Sequence, residues 1–355
     1  MEVFHQVDHL ICQGLEQGAY PSAALAIGVG QILYLKKTYG SCTDTSLFDI
    51  ASLTKIVSPT MIAFRFIEDG LLRLYDTVAD FCPDAPADKR DITILHLLTH
   101  TSGISDHFLL SEFTADPADA LSVILEHPLI HTPGLAPVYS CMGYILLGKI
   151  LEQVGGTPLD QLAQNYVFSP LGMNQTGYHP SGDIVPTEMD PISGKLLQGI
   201  VHDENARFLG GISANSGVFS NLNDMIIFTK MLANGGKLDN GFTYLSPAML
   251  QAALINRTPQ SAGEFRGLGF NLTGSPRNFL GDLMSPRAYG HTGFTGTSIA
   301  IDPDTGLWVV LLTNRVCPTR ANTRFIRMRS LIHNAAAAEA SRLLSCQINT
   351  QEIHL

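Results

Sequence analysis

The strand-like stretches of this chain sit at its two ends, and a long, mostly helical stretch separates them. Residues 23–30 and 31–39 read as two strands joined by a glycine turn, and 48–50 as a short third. Strand signals then stop until 268–273, 288–291, 296–301 and 307–313, where Asp302-Pro303-Asp304-Thr305-Gly306 marks a turn between the last two. Helical patterns fill the rest: up to about Gly18, from Ser52 to about Gly70, 142–154, 159–168, 221–233 and 322–344. Short strands cannot bury their faces alone, so the two ends are expected to share one sheet. The expected fold class is α/β: an antiparallel sheet built from both chain ends, flanked by helices, with an inserted mostly helical region. One catalytic domain is expected over 1–355, its sheet part about 1–60 and 265–355 and its helical part about 61–264. No internal repeat or low-complexity linker argues for two tandem domains.

At 355 residues the chain is long enough for a sizeable core, and 45% hydrophobic with 15% charged residues excludes disorder. A net charge of −10 disfavours a general nucleic-acid or anionic-membrane surface. The expected partner is a small-molecule substrate, with neither nucleic acid nor membrane. The first residues carry no basic stretch followed by an apolar run, so no signal peptide is read and a cytoplasmic location is expected. Cys12, Cys42, Cys82, Cys141, Cys317 and Cys346 are scattered, which suits free thiols better than a disulfide framework.

Three short motifs carry chemistry. Ser52-Leu53-Thr54-Lys55 puts a hydroxyl and an amine three residues apart, on one face of a helix, where a lysine with its pKa lowered by burial can take the serine proton. Ser-x-x-Lys arises by chance about once in a chain this long, so alone it says little. Tyr139-Ser140-Cys141 follows Pro133-Gly134 and precedes a helix, which suits a tyrosine projecting into a cleft; a half-buried packing role is the plainer alternative. His291-Thr292-Gly293 lies on a strand. Gly293 permits close approach of a substrate to the backbone, and the Phe294 N–H can join that of Ser52 in an oxyanion hole.

Taken in this order, Ser-x-x-Lys, Tyr-Ser-x and Lys/His-Thr-Gly resemble the penicillin-recognising serine hydrolases, and among them the class C β-lactamase-like group of esterases, DD-peptidases, amidases and transacylases. His96-Leu97-Leu98-Thr99-His100-Thr101-Ser102-Gly103 is similar to another stretch of that family. The resemblance implies Ser52 as nucleophile, Lys55 and Tyr139 as proton carriers, and His291 as a further catalytic group. It also implies substrate binding by Cys141, Thr292 and Gly293, with neither metal nor organic cofactor. Val201-His202-Asp203-Glu204-Asn205-Ala206 and Thr313-Asn314-Arg315-Val316-Cys317-Pro318-Thr319-Arg320 resemble a narrower branch that includes muropeptide amidases.

Two departures bear on substrate. Cys141 stands where the family carries an Asn or Asp that holds the substrate amide, and His291 stands where β-lactamases have a lysine. Both weaken a β-lactamase reading more than that of a general acyl hydrolase. The expected reaction is hydrolysis of a peptide or muropeptide amide through an acyl-enzyme. Esterase, weak β-lactamase or DD-peptidase action is the alternative, and a penicillin sensor without turnover is the alternative of another class. Arg315 or Arg320 is expected to hold a substrate carboxylate, or else to be an ordinary surface arginine. Asp203 and Glu204 either hold a substrate amine or cap turns. Activity is expected to fall in acid as His291 charges and the Lys55/Tyr139 base protonates. The i, i+4 pair His96/His100 has the spacing of zinc ligands but lacks the glutamate that would complete the motif.

Overall fold

The computed structural model describes residues 3–274 and 278–352, with side chains through residue 346. Among the described residues there are eight strands: β1 (Ser22–Val29), β2 (Ile32–Gly40), β3 (Phe48–Asp49), β4 (Phe219–Ser220), β5 (Asn271–Leu272), β6 (Tyr289–Thr292), β7 (Ser298–Asp302) and β8 (Leu307–Thr313). Six of them form one antiparallel sheet in the order β2-β1-β8-β7-β6-β5, so the two ends of the chain meet at the β1–β8 pair. That pair is buried along its whole length, which explains why 307–313 is apolar without alternation. Alternation survives in where the side chains go. Leu307, Val309 and Leu311 join Leu25 and Ile27 on the face covered by the helices His5–Glu16 and Arg324–Glu352. Trp308, Val310 and Leu312 join Ala24 and Ala26 on the face covered by the inserted helices. Each such Leu or Val, fully buried, contributes roughly 1.5–3 kcal/mol. The edge strand β2 is mostly exposed and carries Lys36 and Lys37, paired with Asp44 and Asp8, which discourages further strand addition.

Several sequence boundaries move. The helix expected from Ser52 to Gly70 is three pieces: a 3-10 turn over Ala51–Leu53, a short α-helix over Thr54–Val57, and a second over Pro59–Glu68. The break falls at Ser58 (φ −125°, ψ −88°), because Pro59 has no N–H to continue the ladder and its ring restricts the residue before it. Gly70, at φ +73°, follows the end as expected. Strand 268–273 shrinks to β5, and β7 starts only at Ser298, because Gly296 at φ +107° belongs to the preceding turn. The C-terminal helix runs over Arg324–Glu352. Cys12, Cys42, Cys82, Cys141 and Cys317 are free thiols. No helix among the described residues is long and apolar enough to cross a membrane.

The two-stranded ladder β3–β4 matters more than its size suggests. It ties residues 48–49, immediately before Ser52, to 219–220, far along the inserted region.

Candidate active site

The turn that carries Ser52 is held from both sides. Ala51 has a left-handed backbone (φ +46°), a costly conformation for a residue with a Cβ. The carboxylate of Asp49 at the end of β3 secures it. One oxygen accepts the Ala51 N–H at 2.8 Å and the other the His202 N–H at 2.7 Å. Burial pushes the Asp49 carboxyl up in pKa, against those two N–H bonds. On the other side, the turn after β6 closes onto the same segment. Thr295 Oγ1 donates to Asp49 O at 2.7 Å and Thr297 Oγ1 to Ile50 O at 3.0 Å. Gly293 is required here, since a Cβ would fall 2.4 Å from the Ile50 carbonyl oxygen. The turn's own bonds run from Gly293 N–H to Thr297 O and from Gly296 N–H to Gly293 O, so the Phe294 N–H is left out of them.

Lys55 is fully buried and its three donors are all used. It donates to Ser52 Oγ at 3.1 Å, to Asn215 O at 2.8 Å and to Cys141 Sγ at 3.5 Å. Its amine lies 4.9 Å from the Tyr139 ring centroid and 5.6 Å from that of Tyr144. The i, i+3 spacing therefore brings hydroxyl and amine together as expected. The electrostatics differ from the expectation of a lysine lowered by burial. Burial does pull Lys55 down, but Cys141 and Tyr139 beside it outweigh that and hold it above the ordinary lysine range. Cys141 moves the other way: burial would raise it, yet Lys55 and then His107 bring the thiol below its usual value. The resting pair is an ammonium against a thiol of enhanced acidity.

Tyr139-Ser140-Cys141 is shaped by the helix Cys141–Gly155. Ser140 caps it, accepting the Gly143 N–H at 2.9 Å while donating to Ser105 O at 2.6 Å. Cys141 is the first helical residue. His100 sits behind this junction in a left-handed conformation (φ +58°). Its Nδ1 accepts the Ser140 N–H at 3.0 Å and its ring packs 4.4 Å from Tyr139. The stretch around His96 thus positions the tyrosine, and His96 itself caps the start of its own helix by accepting the Thr93 N–H.

These residues face a cavity of about 320 Å³, with Ser52, Tyr139, Cys141 and Phe294 in its wall. Asp106, His107, His202, Asp203, Glu204, Ser216 and Arg320 complete it apart from Ala51. Five sequence-predicted residues are not in the wall: Lys55 and Gly293, described above, and His291, Thr292 and Arg315. His291 is buried beside Tyr139, 6.0 Å between ring centroids, with Nδ1 bonded to Thr292 O. Burial, with the charges of Lys55 and Arg266, holds its pKa well below the usual histidine range. Thr292 is half-buried on β6. Arg315 is buried, donates to Asn322 O at 3.0 Å and lies over the Phe294 ring at 4.7 Å. Arg320 does reach the cavity, but two carboxylates already engage it: Glu188 at 2.5 Å and Glu204 at 2.6 Å. Neither arginine is a free carboxylate receptor. Asp203 caps the helix Glu204–Phe208 through the Ala206 N–H.

Sequence reasoning missed Asp49, Asn215, Asp106 and His107. Asn215 lies beyond the 201–206 stretch, and neither it nor the loop with Asp106 and His107 carried a motif of its own.

A family model described as Beta-lactamase matches residues 7–331. A putative D-alanyl-D-alanine carboxypeptidase of Escherichia coli (strain K12) is 29% identical over 364 residues, covering 89% of this chain and 83% of that protein. Among solved structures, EstCE1, a hydrolase with promiscuous acyltransferase activity, is similar with a TM-score of 0.76 at 21% identity, covering 94% of this chain and 97% of its own. The octameric penicillin-binding protein homologue from Pyrococcus abyssi gives 0.71 at 22% identity, covering 92% and 76%. Both share the mixed architecture of an antiparallel sheet flanked by helices.

Proposed function

Because the chain belongs to the beta-lactamase family, a family of hydrolases, we propose that it is a serine hydrolase acylated on Ser52, cleaving an amide bond of a small peptide-like substrate, with esters as alternative substrates. The observation that carries this reading is the Ser52 hydroxyl at 3.1 Å from the buried Lys55 amine, on the wall of a cavity that Tyr139 and Phe294 also line.

The steps follow from the arrangement. In the form in which Cys141 has ionised to a thiolate, Lys55 passes a proton to that sulfur and becomes a neutral amine. Ser52 Oγ attacks the carbonyl carbon while its proton goes to the neutral Lys55 amine, directly or relayed through the Tyr139 hydroxyl. The oxyanion accepts from the Ser52 and Phe294 N–H groups, donors of a kind worth about 10²–10³ in rate each. The collected proton goes to the departing nitrogen or oxygen as its bond to the carbonyl carbon breaks. Water then attacks the acyl-enzyme, its proton returns by the same route, and Ser52 is released. His291 acts here as a positioning residue behind Tyr139.

The test is continued turnover of p-nitrophenyl butyrate, with peptide mapping of a fluorophosphonate adduct. Release past one equivalent and a label on Ser52 are expected. A single stoichiometric burst favours the non-turnover sensor, and a label on Cys141 overturns the mechanism.

Nitrocefin should be hydrolysed at least about tenfold less efficiently than the ester, because the thiol of Cys141 holds an amide poorly and His291, where β-lactamases have a lysine, is buried outside the cavity wall. Cys141→Asn should raise nitrocefin turnover a few-fold. Efficient hydrolysis by the unaltered protein would contradict this.

A further inference from the structure

We propose that the substrate carries an ammonium group, bound at the mouth of the Ser52 cavity by Asp203, Asp106 and Glu204. This rests on the hydrolase reading above and adds the substrate's charge to it.

Three carboxylates line a cavity of about 320 Å³ whose wall has one arginine. That arginine is taken: Arg320 is bonded to Glu204 within the wall and to Glu188, which also accepts from His202 Nε2 at 2.9 Å. The second cation, Lys55, is buried with its three donors directed to Ser52, Asn215 and Cys141. Both of these cations are therefore engaged, and a substrate carboxylate would meet the three carboxylates of the wall.

The acceptors, in contrast, have capacity to spare. Asp203 uses only Oδ1, for the Ala206 N–H and Asn215 Nδ2, and Asp106 uses only Oδ1, for the His107 N–H and Ser105 Oγ. Their Oδ2 atoms accept no hydrogen bond among the described residues. An independent feature points the same way. Ser216 lines the same cavity, is 2% exposed, and its buried hydroxyl has no hydrogen-bond partner. An unsatisfied buried hydroxyl is uncommon in a folded protein. An ammonium has three N–H donors and no acceptor, which complements two carboxylate oxygens and a hydroxyl oxygen. The same argument turns away from the anionic muropeptide expected on sequence.

The experiment uses the full chain and the 4-nitroanilides of glycine, N-acetylglycine and N-succinylglycine, which are cationic, neutral and anionic. The expected order of kcat/KM is cation over neutral by at least about tenfold, with the anion lowest, and the ratio should shrink as salt rises. Asp203→Asn keeps an oxygen for the Ala206 N–H and should lower the cation-to-neutral ratio about tenfold. Asp106→Asn, on an exposed loop, gives the same readout if Asp203→Asn does not fold. If no anilide is cleaved, the same three compounds serve as competitive inhibitors of p-nitrophenyl acetate hydrolysis, with affinities expected in the same order. An equal or better neutral or anionic compound, or a cation preference unchanged in both variants, overturns the inference. Failure of p-nitrophenyl acetate turnover, by contrast, defeats the hydrolase reading itself.

Discussion

Ser52→Ala is expected to lower kcat/KM for p-nitrophenyl butyrate by at least about 10⁴-fold, while the protein stays folded. The activity loss follows from removing the atom that forms the acyl bond. Tyr139, Lys55 and Cys141 remain, but the first two serve as proton carriers in this mechanism and the third is committed to Lys55 at 3.5 Å. The fold should tolerate the change because the Ser52 hydroxyl bonds only Lys55, which keeps the Asn215 carbonyl at 2.8 Å and the Cys141 thiol as acceptors. The turn itself is fixed by Asp49, Thr295 and Thr297, none of which depends on the serine side chain. The measurement is steady-state kinetics with circular dichroism on the same samples. Residual activity within about tenfold of the unaltered protein would remove Ser52 from the mechanism; the natural successor would then be Cys141, tested by Cys141→Ala in the same background.

What could be read from the sequence was local or periodic. Ser52 and Lys55 are three residues apart, so helical geometry alone brings them together. The apolar run 307–313 and the paired strands at 23–39 required only period and turn chemistry. The break at Ser58 was legible too, since Pro59 announces it, yet the apolar periodicity of 61–67 continues across it and disguises it. Other features depend on contacts that no local pattern carries. Asp49 meets the His202 N–H across 153 residues, and Arg320 meets Glu188 across 132. The latter is why the arginine reads from sequence as a free receptor and is engaged in the structure. His291 fails in the same way. A strand histidine before Thr-Gly reads as facing substrate, but packing beside Tyr139 buries it and lowers its pKa. The Lys55 shift reverses for a related reason: desolvation was foreseen from its setting, whereas the compensating thiol and phenol are 86 and 84 positions further along.

Lys55→Met should lower kcat/KM by at least about 10³-fold, and it should also move a titration that a merely structural lysine would leave in place. Methionine fills the buried space without a charge, against the rings of Tyr139 and Tyr144. The Asn215 carbonyl loses its donor, at a cost of about 1–3 kcal/mol in stability. Activity falls because no amine remains to take or relay the Ser52 proton, and the double variant with Ser52→Ala should be no worse than the more severe single, since the two act as a unit. The titration concerns Cys141. Burial raises this thiol, and the Lys55 ammonium is the main influence that brings it below the usual range. Without the ammonium, the thiol pKa should rise, the thiolate fraction at neutral pH should fall, and alkylation of Cys141 by iodoacetamide should slow several-fold. Its pH profile should shift to the alkaline side. Mass spectrometric alkylation rates across pH 6 to 9, with Cys141→Ser as the blank, read this directly. An unshifted profile would mean that the thiol is tuned by His107 and the helix terminus instead, and the proposed transfer of a proton from Lys55 to Cys141 would have no support.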